Sequence, residues 1–447
     1  MKSQTNKKAA IGVIAAAQLS TALLLTGLSA SATHADNLFI KNATVYSIDD
    51  AQYRTEQWRP QPNSNILIRG GQIVAVGPAA QPDVDSRIID AKGRPVTPGL
   101  MNPHTGLGTV EIELEETTVD NTTADIRFGA SFDLADIINP DSVLIPYNRM
   151  MGLTRAVVTP GVGHGVFGGQ STLIQLAGED VVQRRQVAMI ASLGAQANDA
   201  GEGSRGSALL AMRMAFEDAK DFAANKAAFH RGERREYSLP HRDLEALLPV
   251  LDGKQPLIVA VERAHDIRTV LKLAKEFKLR VILLGASEGH RVANEIAAAQ
   301  VAVILAPMEN LPGSFDTLSA TLENAALLDK AGVKLAFTSN AGDSPSHNAH
   351  LVRQGAGNAV ANGLPLAAAL AALTRNPAEM FGIADHYGKL APGYDADVVV
   401  WSGDPLEVTS YPDHVVIAGA EQPLVSHQTR LRDRYKEPAD PQRGYKR

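Results

Sequence analysis

The chain has 447 residues, no cysteine and a formal net charge of −6 at pH 7, with 45% hydrophobic and 21% charged residues. Disulfides and a cysteine nucleophile are thereby excluded, and the acidic balance disfavours non-specific binding to nucleic acid. The length suffices for a large core, for example a barrel of roughly 250 residues with a satellite domain.

At the N-terminus, Lys2, Lys7 and Lys8 precede an apolar run from Ala9 to Leu28, which leads to the small-residue sites Ala30-Ser31-Ala32 and Thr33-His34-Ala35. This pattern predicts a signal peptide over residues 1–35, cut near Ala32 or Ala35, and a periplasmic or secreted protein with no membrane span after cleavage. Cleavage removes three lysines and no acids, so the formal charge moves from −6 to −9. An uncleaved anchor on an envelope structural protein is the competing reading, because the apolar run is long for a signal core.

From Asn37 to Thr97, short β-branched runs alternate with turn residues: Leu38 to Tyr46, Asn65 to Gly70, Gln72 to Gly77 and Arg87 to Asp90. These predict a small β-domain. The other end has the same character in Asp397 to Trp401 and His414 to Gly419, so residues 36–97 and 388–447 are expected to form one composite β-sandwich domain.

Between them, residues 98–387 alternate strand-length apolar runs with helical patterns. The strands are Val96 to His104, Thr154 to Thr159, Ser171 to Gln175, Val187 to Ser192, Leu257 to Val261, Arg280 to Leu284, Val301 to Leu305 and Lys334 to Ser339. Eight such runs predict an α/β (β/α)8 TIM-type barrel. The helices are marked by an apolar stripe from Asp266 to Lys278, by Gly332 closing the helix after Asp316, and by Leu366 to Leu373. Asn376 is expected to cap the next turn, with Pro377 at its first position. The Gly-rich region from Pro160 to Pro240 reads as loops with one or two helices over the barrel. Within it, Gly163 to Gly168 fits G-x-G-x-x-G by letter, but the next residues read as a strand, so no helix N-terminus is available for a pyrophosphate. The basic cluster His230 to Arg235 lacks interleaved aromatics and reads as a solvated loop. No G-x-S-x-G elbow is present.

Three segments carry a family resemblance: Pro98 to Gly106, Thr374-Arg375-Asn376-Pro377-Ala378, and Gly388-Lys389-Leu390-Ala391-Pro392-Gly393 running on to Trp401. Together they resemble the amidohydrolase superfamily, in particular its imidazolonepropionase-related branch. The resemblance implies a barrel whose first strand ends in Asp-Ala-His-x-His. It also implies a metal centre completed by a Lys or Glu on strand four, a His on each of strands five and six, and a catalytic Asp on strand eight. A metal-bound water would be the nucleophile for cleavage of a C–N bond in a cyclic amide, imidazolone or dipeptide-like substrate.

Only His104 matches that set. Gly106 stands at the second histidine, Ser192-Leu193-Gly194 ends strand four, strands five and six carry no histidine, and Asn340 replaces the strand-eight Asp. An asparagine amide cannot act as a carboxylate base, and one histidine falls short of the three protein ligands of a catalytic zinc. The expected cofactor is therefore at most one zinc-like divalent metal on His104, with its absence or weak binding favoured. The residues left to rebuild a site are Glu262 and Asp343 as catalytic candidates beside His104, and His164, His265 and His290 as substrate-binding candidates. His347 and His350, at i and i+3, share a helix face if helical, and Glu111, Glu113, Glu115 and Glu116 follow strand one. Two functions remain: an amidohydrolase-like enzyme with a degraded metal centre, or a non-catalytic barrel that binds a small ligand or a partner in the cell envelope. Self-association stays open.

Overall fold

The computed structural model describes residues 37–48, 58–123, 128–162, 165–194, 203–342 and 345–436. The expected leader at 1–35 and the candidates His164 and Asp343 lie outside the described residues.

Two eight-stranded sheets organise the described chain. The first contains β1 (Leu38–Val45), β2 (Gln61–Arg69), β3 (Gln72–Gly77), β4 (Arg87–Asp90), β5 (Pro95–Pro98), β14 (Val398–Trp401), β15 (Pro412–Ile417) and β16 (Ala420–Gln422). Its order is β16-β15-β14-β5-β1-β2-β3, with β4 paired to β1, so both ends of the chain share one sheet. The hairpin between β2 and β3 turns on Gly70 and Gly71, at φ of 57° and 83°, the positive pair that a two-residue turn needs to match strand twist. One face of the sheet closes on itself: Leu38, Ile40, Ile66, Ile68, Val96, Val398 and Val400 share a single core.

The second sheet is the barrel. It contains β6 (Leu100–Thr105), β7 (Leu153–Val158), β8 (Phe167–Gln175), β9 (Val182–Ser192), β10 (Leu257–Val261), β11 (Val281–Gly285), β12 (Ala302–Leu305) and β13 (Leu335–Phe337), hydrogen-bonded in sequence order. Each of the eight expected segments carries a barrel strand, although Val96 to His104 divides at Gly99 between β5 of the first sheet and β6 of the barrel, and the architecture is a TIM-type barrel with an added sheet domain. One strand departs from strict βα alternation: β8 runs antiparallel to both β7 and β9. A short turn suffices for an antiparallel step, whereas a parallel step needs a crossover of a dozen residues or more. The lumen is filled by Met101, Val157, Leu173, Ile190, Ile258, Ile282 and Ile304, and Met380, Phe381 and Tyr387 join the same core.

The helices are α1 (Leu144–Arg149), α2 (Arg205–His230), α3 (His241–Leu251), α4 (Ala264–Phe277), α5 (Ala293–Ala298), α6 (Asn324–Lys330), α7 (Val352–Ala361), α8 (Leu366–Leu373), α9 (Arg375–Met380) and α10 (His427–Tyr435). On α4 the expected stripe is buried through Ile267, Val270, Leu273 and Phe277. Gly332, at φ 90°, follows α6 as expected, although that helix begins later than Asp316. The region from 160 to 240 is more ordered than its composition suggests. It holds β8, β9 and the long helix α2, which Ser204 caps through the Ser207 amide and which buries Met212, Phe216 and Phe222. Asn376 lies inside α9 instead of capping it, and its amide donates to Leu335 O at 2.8 Å. No helix among the described residues is long and apolar enough to cross a membrane.

Buried contacts among the described residues join barrel and sheet, two of them at the start of β7. Trp401 is fully buried and donates from Nε1 to Thr97 Oγ1 at 2.9 Å. It packs on Gly152, where an added Cβ would come within 2.6 Å of the ring. Arg155 at the start of β7 meets Asp397 at 3.1 Å and Asp395 at 2.7 Å, and its guanidinium lies over the Tyr387 ring at 4.7 Å. Such a pair adds little net stability over an apolar contact, yet stranding one partner costs about 3–5 kcal/mol.

Candidate functional site at the barrel mouth

The seven parallel strands end at one face of the barrel, where the chemistry of this architecture is built. At that face β6 carries an extra residue between Asn102 and Thr105 relative to β7. The bulge reverses the in-out alternation that Met101 sets, and brings His104 to the side of Thr159. His104 is 3% exposed, and its Nδ1 lies 2.5 Å from Thr159 Oγ1. Its carbonyl accepts from Thr338 Oγ1 at 3.1 Å, a side-chain link between β6 and the end of β13. Asn102 positions the run: its Oδ1 accepts the His104 amide at 3.0 Å, and its Nδ2 donates to Ala349 O at 2.9 Å.

The remaining metal positions are occupied by groups committed elsewhere. Gly106 offers only its backbone, which donates to Pro345 O at 3.0 Å. Ser192 is fully buried. Asn340 Oδ1 accepts from the Gly342 amide at 2.8 Å and so holds its own turn. Among the described residues no three His, Asp or Glu side chains converge as a cation site. A catalytic zinc needs about three protein ligands, and of the family's ligand set the described residues supply only His104.

Glu262 is the most perturbed acid of the face. It continues the inward set of Ile258 and Ala260 on β10, and its Oε2 accepts from Ser287 N at 2.9 Å and Ser287 Oγ at 2.6 Å. Its Oε1 lies against Gly285, where a Cβ would come within 2.1 Å. Burial pushes its carboxyl up to about 7; the Ser287 bonds oppose the shift, and the charges of Glu309 and Asp316 add to it. Glu309 accepts the Ala341 amide at 3.0 Å and ties the loop after β12 to the loop after β13.

The other candidates stand apart. His265 is exposed on the first turn of α4, beside a cavity of about 170 Å3 lined by Leu193, Arg205 and Asp266. His290 is half-buried against the start of α6, its amide donating to Asn324 Oδ1 at 2.9 Å, and burial lowers its pKa.

His347 and His350 do not share a helix face; they meet on Tyr147. The exposed His347 ring stacks on it at 5.0 Å and the buried His350 ring meets it edge-on at 5.2 Å. His350 Nδ1 lies 3.0 Å from Asn148 Oδ1, and burial lowers its pKa to about 4. Sequence reasoning missed Ser287, Glu309, Tyr147 and Asn148. The place of Glu309 just past a strand end at the face of Glu262 was a usable signal; Tyr147 and Asn148, some two hundred residues from their partners, carried none.

Residues 260–425 match the Amidohydrolase family. Amidohydrolase tasK of Hapsidospora irregularis is 25% identical over 392 residues, which cover 80% of this chain and 40% of that protein. An imidazolonepropionase of Colwellia psychrerythraea is 39% identical over 102 residues, which cover 22% of this chain and 24% of that one. The chain thus spans less than half the length of these curated relatives. Among solved structures, the amidohydrolase from Thermotoga maritima MSB8 superposes with a TM-score of 0.75 at 26% identity, over 86% of this chain and 99% of that one.

Proposed function

We propose, for a chain that belongs to the amidohydrolase superfamily, that it is a secreted amidohydrolase-type protein whose ordinary metal centre has been dismantled. Its barrel mouth is kept as a pocket for a small polar ligand of the amide or cyclic-amide class. The observation that carries this reading is the state of the metal positions beside His104: Gly106 offers only its backbone, Asn340 Oδ1 accepts the Gly342 amide, and among the described residues no three His, Asp or Glu side chains converge. Secretion rests on the leader pattern of residues 1–35, and intact-mass mapping of the mature N-terminus to the residue after Ala32 or Ala35 tests it.

One observation favours a second reading, in which hydrolysis of a C–N bond persists without a metal. A carboxyl held near 7 has the proton affinity of a general base at neutral pH, and Glu262 at the mouth is such a group. In that case Glu262 takes the proton from a water that attacks the carbonyl carbon and returns it to the nitrogen as the C–N bond breaks, with Ser287 fixing its orientation.

Calorimetric titration of the mature protein with hydantoin and dihydrouracil, beside a mass-spectrometric search for ring-opened product, separates the two. Saturable binding that weakens in Glu262→Gln, without product, supports the binding reading. Turnover that survives chelation supports the second, and turnover abolished by chelation contradicts both.

A further inference from the structure

Residues 311–323, between β12 and α6, form neither helix nor strand, and Asp316 is the only buried residue among them. The large apolar side chains of this loop, Leu311, Phe315 and Leu318, stand in solvent. A segment that buries so little apolar surface has no packing to hold it and takes its position from polar ties. Arg205 and Glu288 supply such ties. The Asp316 carboxylate, 7% exposed, accepts from Arg205 Nη2, and the Ser319 amide donates to Glu288 Oε1 at 3.1 Å.

Both ties lead to Glu262. Glu288 follows Ser287, which holds the Glu262 carboxyl, and its Oε2 accepts the Ala264 amide at 3.0 Å. Arg205 opens α2, where the reciprocal cap of Ser204 and Ser207 fixes the chain, and its Nε lies 3.2 Å from Asp266 on the first turn of α4. Asp266 has a second cation in Arg263 at 3.0 Å, so the start of α4 keeps a counter-charge without Arg205. Among the described residues, the charged or titratable groups on the elements about Glu262 are Arg263, His265 and Asp266 after β10, Glu288, His290 and Arg291 after β11, Glu309 and Asp316 after β12, and Arg205. Of these, Glu309 and Asp316 oppose its ionisation.

We propose that Arg205 is a positioning residue of the mouth: gripping Asp316 from the rigid start of α2, it locks the 311–323 loop beside Glu262 and keeps water from that carboxyl. The lock matters to function only if Glu262 is the working group of the mouth, as proposed above. Its test needs no ligand, so absence of amide binding would sink that reading and leave the lock standing.

Carbon-13 NMR of the purified protein, labelled at the glutamate side-chain carboxyls, follows the ionisation of Glu262, whose signal is the one absent from Glu262→Gln. In Arg205→Gln the loop should swing out and water reach the carboxyl, lowering its midpoint from about 7 to about 6 or below. Were Arg205 merely neutralising Asp316, its loss would leave a bare carboxylate beside Glu262 and raise the midpoint instead. Arg205→Lys, which keeps the charge, should recover about half of the change. Hydrogen exchange gives a second readout: the amides of residues 311–323 should exchange about tenfold faster in Arg205→Gln and in Asp316→Asn, which cuts the same tie from the loop side, while those of α4 stay as in the wild type. An unchanged or raised midpoint, unchanged loop exchange, no recovery with lysine, or loss of folding in Arg205→Gln would each overturn the proposal.

Discussion

Replacing Glu262 by glutamine should make the protein more stable, and increasingly so as the pH rises. The carboxyl has an ordinary value of 4.5 and stands at about 7 in the folded chain. Between those values the folded state binds more protons than the unfolded state, so the stability contributed by this group falls as pH rises and is at its lowest above about 7. Worked from the two values, ionisation of Glu262 costs the folded state about 0.8 kcal/mol at pH 5 and about 3.3 kcal/mol at pH 8. Glutamine keeps an oxygen to accept from Ser287 N and Oγ, and it carries no charge to desolvate. The variant should therefore gain about 2.5 kcal/mol relative to the wild type between pH 5 and pH 8. With an unfolding entropy near 2.1 cal/mol/K per residue, this corresponds to a widening of the Tm difference by roughly 3 °C. Scanning calorimetry of both proteins at the two pH values reads it directly. A Tm difference that is the same at both pH values, or larger at pH 5, would refute the reasoning.

Three further outcomes follow from the same geometry. His350 behaves in the opposite sense: burial holds it at about 4 against an ordinary 6.5, so the unfolded state binds the extra proton and stability drops as pH falls from about 6.5 to 4. The full effect is about 3 kcal/mol; His350→Gln should flatten that acid limb in a Tm-against-pH series, and an unchanged limb would count against it. Asp397→Asn leaves Arg155 buried with only Asp395 opposite it and should cost about 3 kcal/mol in chemical denaturation, whereas a cost below about 0.5 kcal/mol, the range of neutral surface changes, would show the pair to be dispensable. Gly285→Ala puts a side chain at φ 88° and a Cβ within 2.1 Å of Glu262 Oε1. It should destabilise by about 1–3 kcal/mol and shrink the pH 5 to pH 8 contrast of Glu262; a full contrast retained in the variant would mean that the carboxyl does not sit where the structure has it.

Much of the architecture is legible in the sequence because each strand announces itself by length and β-branched content. The eight barrel strands fall at the expected segments, from Leu100–Thr105 to Leu335–Phe337. The direction of β8 is legible in the sequence as well. Ala177-Gly178-Glu179-Asp180 is a turn cluster between two strands, far too short for a parallel crossover. What pattern alone hides is long-range partnership. Nothing local in His347 or His350 points to Tyr147, and nothing in Glu262 foretells that Ser287 will hold it, since both contacts depend on how separate strand ends meet. The bulge that turns His104 toward Thr159 is likewise a matter of register between β6 and β7. At the mouth, the sequence says which family ligands are substituted; the fold adds that Asn340 holds the Gly342 amide and that Gly106 donates to Pro345 O.

Elemental mass spectrometry of the purified protein, prepared without chelator, beside its His104→Ala variant, tests the proposed dismantling of the metal centre most directly. The account predicts less than about a tenth of an equivalent of zinc, iron or manganese in a folded sample, with no difference between the two proteins. About one equivalent per chain that disappears in His104→Ala would contradict it and establish a rebuilt metal site at the barrel mouth.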